Sequence, residues 1–246
     1  MSLDMSSEPE RERSRLMDPT GHHTAWDYPP SRQAWVRHMG ATAGRLIGWT
    51  AVWIASLFLI VATPPWSGWI FLLPLLYATF RAVLQLAYIR PSLYIRRVLQ
   101  QYPWQLLTGV PRGRNKHPAV QEDEMWLELP NPERPDEQIP LLFLSGMRTF
   151  WWMRRFGTAR TKPELKAQIE PLWFAGDPRF IAVIAAGSRS GTAPRRLHLL
   201  YQLTATGRRG VAPIDWDAGP AALERARRSG AHVPPTVSPH PHVHPH

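Results

Sequence analysis

LIGWTAVWIASLFLIVATPPWSGWIFLLPLLYATFRAVLQLAYI, residues 46–89, holds two long apolar runs broken only by Thr63, Pro64 and Pro65. A helix needs about 20 apolar residues to cross a hydrocarbon core of about 30 Å. Residues 46–62 carry no charge, and residues 41–44 complete the length if Arg45 snorkels. Residues 66–89 supply the second run, and the connection between the two is too short for a domain. The pattern predicts a transmembrane helical hairpin.

Charge orients it. Arg32, Arg37 and Arg45 precede the first helix, and Arg90, Arg96 and Arg97 follow the second. The connecting TPPWSGW has no charge, and Trp66 and Trp69 suit an outer interface. Positive residues stay on the cytoplasmic side, so both termini are expected in the cytoplasm. The Arg, Pro and Ala bias reads as a high-GC bacterial genome, which makes the plasma membrane the expected location. Around forty polar residues precede the first run and a second run follows at once, unlike a secretory signal peptide. The lipid bilayer is therefore the first partner expected.

Two features lie within the hairpin. Gly40, Gly44 and Gly48 are spaced by four, the spacing that lets helix backbones approach in lipid. They predict packing against the second helix of the same chain, with a homo-oligomer seam as the alternative. Arg81 is an intramembrane charge without an acidic partner in either run. Such a charge is a functional candidate, but from the cytoplasmic half an arginine reaches the headgroups, and that is the expectation here.

The rest of the chain divides by texture. Residues 1–40 are expected to be a disordered cytoplasmic segment, 41–90 the hairpin, and 91–101 a juxtamembrane helix opened by Pro91. Residues 102–206 hold short β-like runs: 102–110, EMWLEL, IPLLFL, 171–175, 179–186 and 195–203. TFWWMRRF fits a strand or a helix, and residues 162–168 a short helix. PRGRNKHP, PNPERPDEQ and GSRSGTAP read as loops. Together they predict a membrane α+β protein: the hairpin, then a small, mainly β, barrel- or sandwich-like cytoplasmic domain. Residues 207–246 are expected to be a mostly disordered tail with one or two helical turns near residues 221–228.

The run LWFAGDPRFIAVI, residues 172–184, marks this domain. Gly tolerates positive φ, Asp bonds its own backbone and Pro fixes φ, so Ala175-Gly176-Asp177-Pro178 is expected to turn between two buried strands. Asp177 and Arg179 are the candidate polar pair at its rim.

Composition excludes much chemistry. The chain has no Cys, so disulfides, thiolate metal sites and thiol nucleophiles are absent. No zincin, phosphate-loop, nucleophile-elbow or dinucleotide motif is present. Glu122, Asp123 and Glu124 read as a solvated loop. His240, His242, His244 and His246 are weak candidates for Zn, Cu or Ni, and no cofactor is expected. The net charge of +10 comes from arginines spread along the chain, so nucleic acid is not the expected partner.

RRVLQQYPW (residues 96–104) and LWFAGDPRF (residues 172–180), behind two short apolar helices, resemble a group of uncharacterised actinobacterial two-helix integral membrane proteins. The resemblance spans roughly residues 46–203. It implies architecture and location, with no activity to carry over. The expected role is a non-enzymatic membrane protein that presents a β-rich domain to an unknown membrane or cytoplasmic protein partner. The alternative is a ligand-sensing or regulatory subunit of a membrane transport complex.

Overall fold

The computed structural model describes residues 19–64, 66, 68–114, 125–144, 149–156, 161–188, 191–206 and 212–235. Two helices of 34 residues each, α1 (Pro29–Ala62) and α2 (Gly68–Gln101), lie side by side. Both are long and apolar enough to cross a membrane. Neither has its apolar length covered by protein: Ile47, Phe58, Val61, Leu73 and Phe80 are all exposed. A helix apolar all round calls for cover from protein or lipid.

The helix ends follow from local chemistry. Pro29 and Pro30 open α1, where the first backbone N–H groups would lack partners anyway. Thr63 ends it in extended backbone, as a residue before proline must. Its N–H and hydroxyl both donate to the Leu59 carbonyl.

Three expectations about this half are corrected. First, α1 starts at Pro29, within the segment expected to be disordered up to residue 40. The extra turns are held by α2: Trp35 Nε1 donates to the Ser92 carbonyl at 2.8 Å, and His38 Nε2 lies 3.2 Å from Ser92 Oγ. Second, Pro91 opens no separate juxtamembrane helix, because α2 runs through it to Gln101. Ser92 Oγ bonds the Tyr88 carbonyl at 2.8 Å, and Ile95, Val98 and Leu99 beyond it are buried. Third, Gly40, Gly44 and Gly48 do not pack on α2. All three are exposed, and a Cβ on any of them would meet nothing within 4 Å. The seam uses Thr42 and Ser56 of α1 with Ala78, Gln85 and Ser92 of α2. These are small or hydrogen-bonding side chains, as close helix approach in lipid requires.

Beyond α2 the chain forms a curled, antiparallel seven-stranded sheet, a half-barrel. Its strands are β1 (Gln105–Leu107), β2 (Arg112–Arg114), β3 (Met125–Pro130), β4 (Gln138–Phe143), β5 (Leu172–Asp177), β6 (Ile181–Gly187) and β7 (Pro194–Tyr201). Their order in the sheet is β1-β5-β6-β7-β4-β3-β2. β2 arises from the expected basic loop, and Gly113 lets it pass over the Trp126 ring, which a Cβ would approach to 2.6 Å.

β5 shows why LWFAG reads as a continuous apolar run. Leu172 and Phe174 face one core, with Leu127, Phe143 and Ile184. Trp173 and Ala175 face the other, with Val98, Leu99 and Val183. A strand buried on both faces loses the apolar–polar alternation. Helix α3 (Thr149–Phe156) closes the first core, bringing Trp152 and Phe156, one turn apart, onto Phe143. α4 (Pro163–Ala167) follows as a short helix. The second core is closed by α2 and by α5 (Pro220–Ser229), which buries Ala222, Leu223 and Ala226. Thus residues 212–235, within the tail expected to be mostly disordered, include a ten-residue helix that belongs to the core. Gly230 caps it at φ +95°, against the Tyr94 ring.

Residues 19–28 tie the assembly together. Ala25 and Trp26 donate to the Tyr102 and Leu99 carbonyls at 2.7 and 2.8 Å, closing the end of α2. Tyr28 stacks on Trp173, and Trp104 Nε1 donates to Ser31 Oγ at 2.7 Å.

The corner between β5 and β6 sits later than expected. Gly176 stays in β5, paired with Ala182, and the turn runs over 177–180 with Phe180 N–H bonded to the Asp177 carbonyl at 3.0 Å. Gly176 has φ +145°, and a Cβ there would fall 2.4 Å from the Ala182 Cα. Gly176→Ala is therefore expected to cost about 3 kcal/mol through strain and overpacking. Gly44→Ala, on an open helix face, is expected to cost nothing. Denaturant titration of the two variants in detergent, followed by tryptophan fluorescence, checks both.

Candidate functional site: an arginine cleft between hairpin and sheet

Asp177 and Arg179 pair with each other, as expected, but in the interior and not at a rim. Arg179 Nε lies 2.9 Å from Asp177 Oδ1, and Nη2 lies 2.8 Å from Oδ2. The Arg179 backbone N–H also donates to Oδ1 at 3.0 Å. Both side chains are almost fully buried, and Glu133 approaches Arg179 Nη1 at 3.4 Å. Burial alone would lower the Arg179 pKa, but the bonds to Asp177 and then to Glu133 outweigh it and raise it. Two fork-to-fork bonds satisfy both groups, so the pair staples the β5–β6 turn to the PNPERPDEQ turn and leaves nothing to hold a ligand. The tail histidines His240, His242, His244 and His246, and the Glu122 to Glu124 run, lie outside the described residues. Among the described residues no three His, Cys, Asp or Glu gather as a metal site.

A substantial concavity lies elsewhere, where the hairpin meets the domain. A cleft of about 790 Å³ opens between α1, α2, α3 and β7. The helices contribute Arg37, Arg45 and Arg81; α3 contributes Arg154 and Arg155; β7 contributes Arg195 and Arg196. No acidic residue is among the described residues lining it. Of these arginines, Arg37, Arg45, Arg154, Arg155, Arg195 and Arg196 have no carboxylate partner among the described residues. Seven like charges around one cavity repel one another unless an anion joins them.

Local structure aims these groups. Along α3, Trp152 and Phe156 face the core, which turns Phe150, Trp151, Arg154 and Arg155 toward the cleft side. Arg155 Cζ stands 4.0 Å from the Trp151 ring centre, and Arg196 Cζ stands 5.4 Å from the same ring. One indole thus holds two guanidinium groups by its π face. Arg155 Nε also donates to Gln168 Oε1 at 3.0 Å. Burial first, and then the charges of Arg195, Arg154 and Arg196, lower the Arg155 pKa from its ordinary value. The buried His198 forms part of the floor, against Phe143.

β7 breaks its own register to serve this wall. Ile184 pairs with His198 and Ala186 with Arg195, so two steps on β6 match three on β7. The extra residue bulges the strand, and Arg196 takes a left-handed φ of +58°. Strict alternation would send one of Arg195 and Arg196 into the core; the bulge exposes both. Arg195 Nε is then fixed on the Gly187 carbonyl at 2.8 Å.

Arg81 lies against two aromatic rings. Its Cζ sits 5.2 Å from the Trp49 ring centre and 5.8 Å from that of Tyr77, inside the hairpin groove at the inner end of the cleft.

Sequence reading missed this site because its arginines come from four elements. Scattered arginines argue against a patch only until the fold gathers them. The usable signals were two Arg-Arg doublets, one of them beside Trp151-Trp152, and an Arg81 with no acid in either apolar run.

Comparison with protein-family models, with curated proteins and with solved structures finds no match for this chain.

The bulge carries a testable trade. A left-handed arginine costs about 1 kcal/mol that glycine does not. Arg196→Gly is expected to raise the melting temperature while weakening anion binding at the cleft. A fall in both, read by thermal melting and by titration with glycerol phosphate, would show that the arginine merely packs.

Proposed function

We propose that this chain is a non-enzymatic bacterial plasma-membrane protein that holds a β-rich binding domain at the cytoplasmic face and takes a phosphate-bearing anion in the arginine cleft. The bare apolar lengths of α1 and α2 support a lipid setting, and the Arg32, Arg37, Arg45 and Arg90, Arg96, Arg97 asymmetry supports the orientation, with both ends of the hairpin cytoplasmic. The one observation that carries the binding reading is the arginine-rich cleft built jointly by hairpin and domain, with no acidic residue among its described lining. Guanidinium forks match phosphate oxygens in pairs, and a cleft walled by low-dielectric protein concentrates their field. The same cleft supports the second reading, a ligand-sensing subunit of a membrane transport complex, because a ligand there touches α1, α2 and the sheet at once. A protein partner as the main occupant is less well supported by a concave, charged site than by a flat apolar one.

Orientation and binding are tested separately. The chain lacks cysteine, so single cysteines report cleanly. An impermeant maleimide applied to spheroplasts is expected to label Trp66→Cys and spare Glu164→Cys; the reverse pattern refutes the orientation. Glycerol phosphate titrated into the detergent-solubilised full chain is expected to bind saturably, and more weakly as salt rises. A flat titration up to tens of millimolar, with no acidic lipid retained either, sinks the binding reading.

A further inference from the structure

The cleft has a second property besides charge: its depth. Each long helix spans about 51 Å at 1.5 Å per residue, against a hydrocarbon core of about 30 Å. Counting about 20 residues inward from Gly68 brings the inner boundary of that core to the level of Tyr88; counting back from Ala62 brings it near Thr42. Residues on both sides of this level line the same cleft. Arg45, Arg81 and Gln85 lie on the hydrocarbon side, and Arg37 and His38 on the aqueous side. The domain's Arg155 and Arg196 face them from across the cleft.

The cleft therefore does not close before the bilayer begins. Its helical wall continues outward at the helical period. On α1, Gly48 and Val52 extend the face of Ala41 and Arg45; on α2, Tyr77 and Ile70 extend the face of Arg81. All four are exposed, and Gly48 leaves open space where a Cβ would stand. A freely soluble anion uses none of this apolar track. A molecule with phosphate at one end and hydrocarbon at the other uses all of it.

We infer that the cleft is a site for an acidic phospholipid of the inner leaflet, its phosphate among Arg155, Arg195 and Arg196 and its acyl chains along the groove from Arg81 past Tyr77. This rests on the anion-binding reading and names its ligand. The phosphate bridges hairpin and domain: Arg45 and Arg81 approach from the membrane side, while the Trp151 shelf holds Arg155 and Arg196 in place before the lipid arrives. Each cation near an anionic lipid contributes roughly a fivefold preference, so the loss of two is expected to be large and the loss of a distant one small.

The test uses the full chain, purified in mild detergent and reconstituted into nanodiscs of phosphatidylglycerol and phosphatidylcholine in equal parts, with bound lipid counted by native mass spectrometry after release. The unaltered protein is expected to retain phosphatidylglycerol over phosphatidylcholine by about tenfold or more. Arg155→Ala with Arg196→Gly is expected to remove most of that preference, and Arg228→Ala, on α5 outside the cleft, to keep it. Arg196→Gly is expected to raise the melting temperature, so lost selectivity in a variant that melts no lower than the native chain reads on binding. Equal retention of the two lipids by the unaltered protein, or the same preference in the double variant, overturns the proposal. If glycerol phosphate saturates the cleft while phosphatidylglycerol shows no preference, the lipid is wrong and the anion site stands. If neither binds, both fall.

Discussion

One helix meets two solvents, and the rest of the structure follows from that. The first two-thirds of α2 are largely apolar and, away from the seam with α1, exposed, while its last turns bury Ile95, Val98 and Leu99 in the core beneath the sheet. A break between those halves would let the domain swing relative to the hairpin. Proline at position 91 is the residue that usually makes such a break. Here the helix is continuous through Pro91 to Gln101, and Trp35 of α1 donates to the carbonyl of Ser92 just beyond it. The domain is thereby joined to the hairpin by packing as well as by chain. The arginine cleft is walled by both.

The same logic orders the sheet. β5 and β6 lie inside the sheet between β1 and β7, covered on both faces, and they are built mostly from Trp, Phe, Leu, Ile, Val and Ala with almost no polar interruption. Their turn is closed by an internal ion pair whose partners are consumed by each other. Polar chemistry is thus spent at the turn and conserved at the wall formed by α3 and β7, where arginines are left without carboxylates. That division separates what stabilises the domain from what it presents.

Much of the architecture could be read from the residues. The two apolar runs, the short strands between residues 105 and 201, the helix at residues 163–167 and the loop at residues 131–137 all follow from local pattern. The failures have physical reasons. Pro91 is a favourable first residue of a helix, but it also stands inside one where the turns beyond it are held by packing, as Ile95, Val98 and Leu99 are here. Gly176 looked like a turn residue, but it serves a strand, where the missing Cβ admits the backbone of Ala182. The spacing of Gly40, Gly44 and Gly48 is right for close packing, yet Thr42 and Ser56, on another face, make the seam. The cleft was illegible because its charges are separated by up to about 160 positions in the chain, and no local pattern encodes which distant arginines will meet.

The extra residue in β7 has a consequence for how such a site originates. A pleated strand assigns its side chains to alternate faces, so a charge normally arrives on a surface by substitution at an outward position. In β7 it arrives by length: one added residue turns the strand over, and a position that would have belonged to the core becomes a second cation beside the first. Removing that residue would restore the pleat and silence half of the pair without touching any buried side chain of β6. A single codon gained or lost would then separate a charged version of this wall from a quiet one, on an otherwise unchanged scaffold.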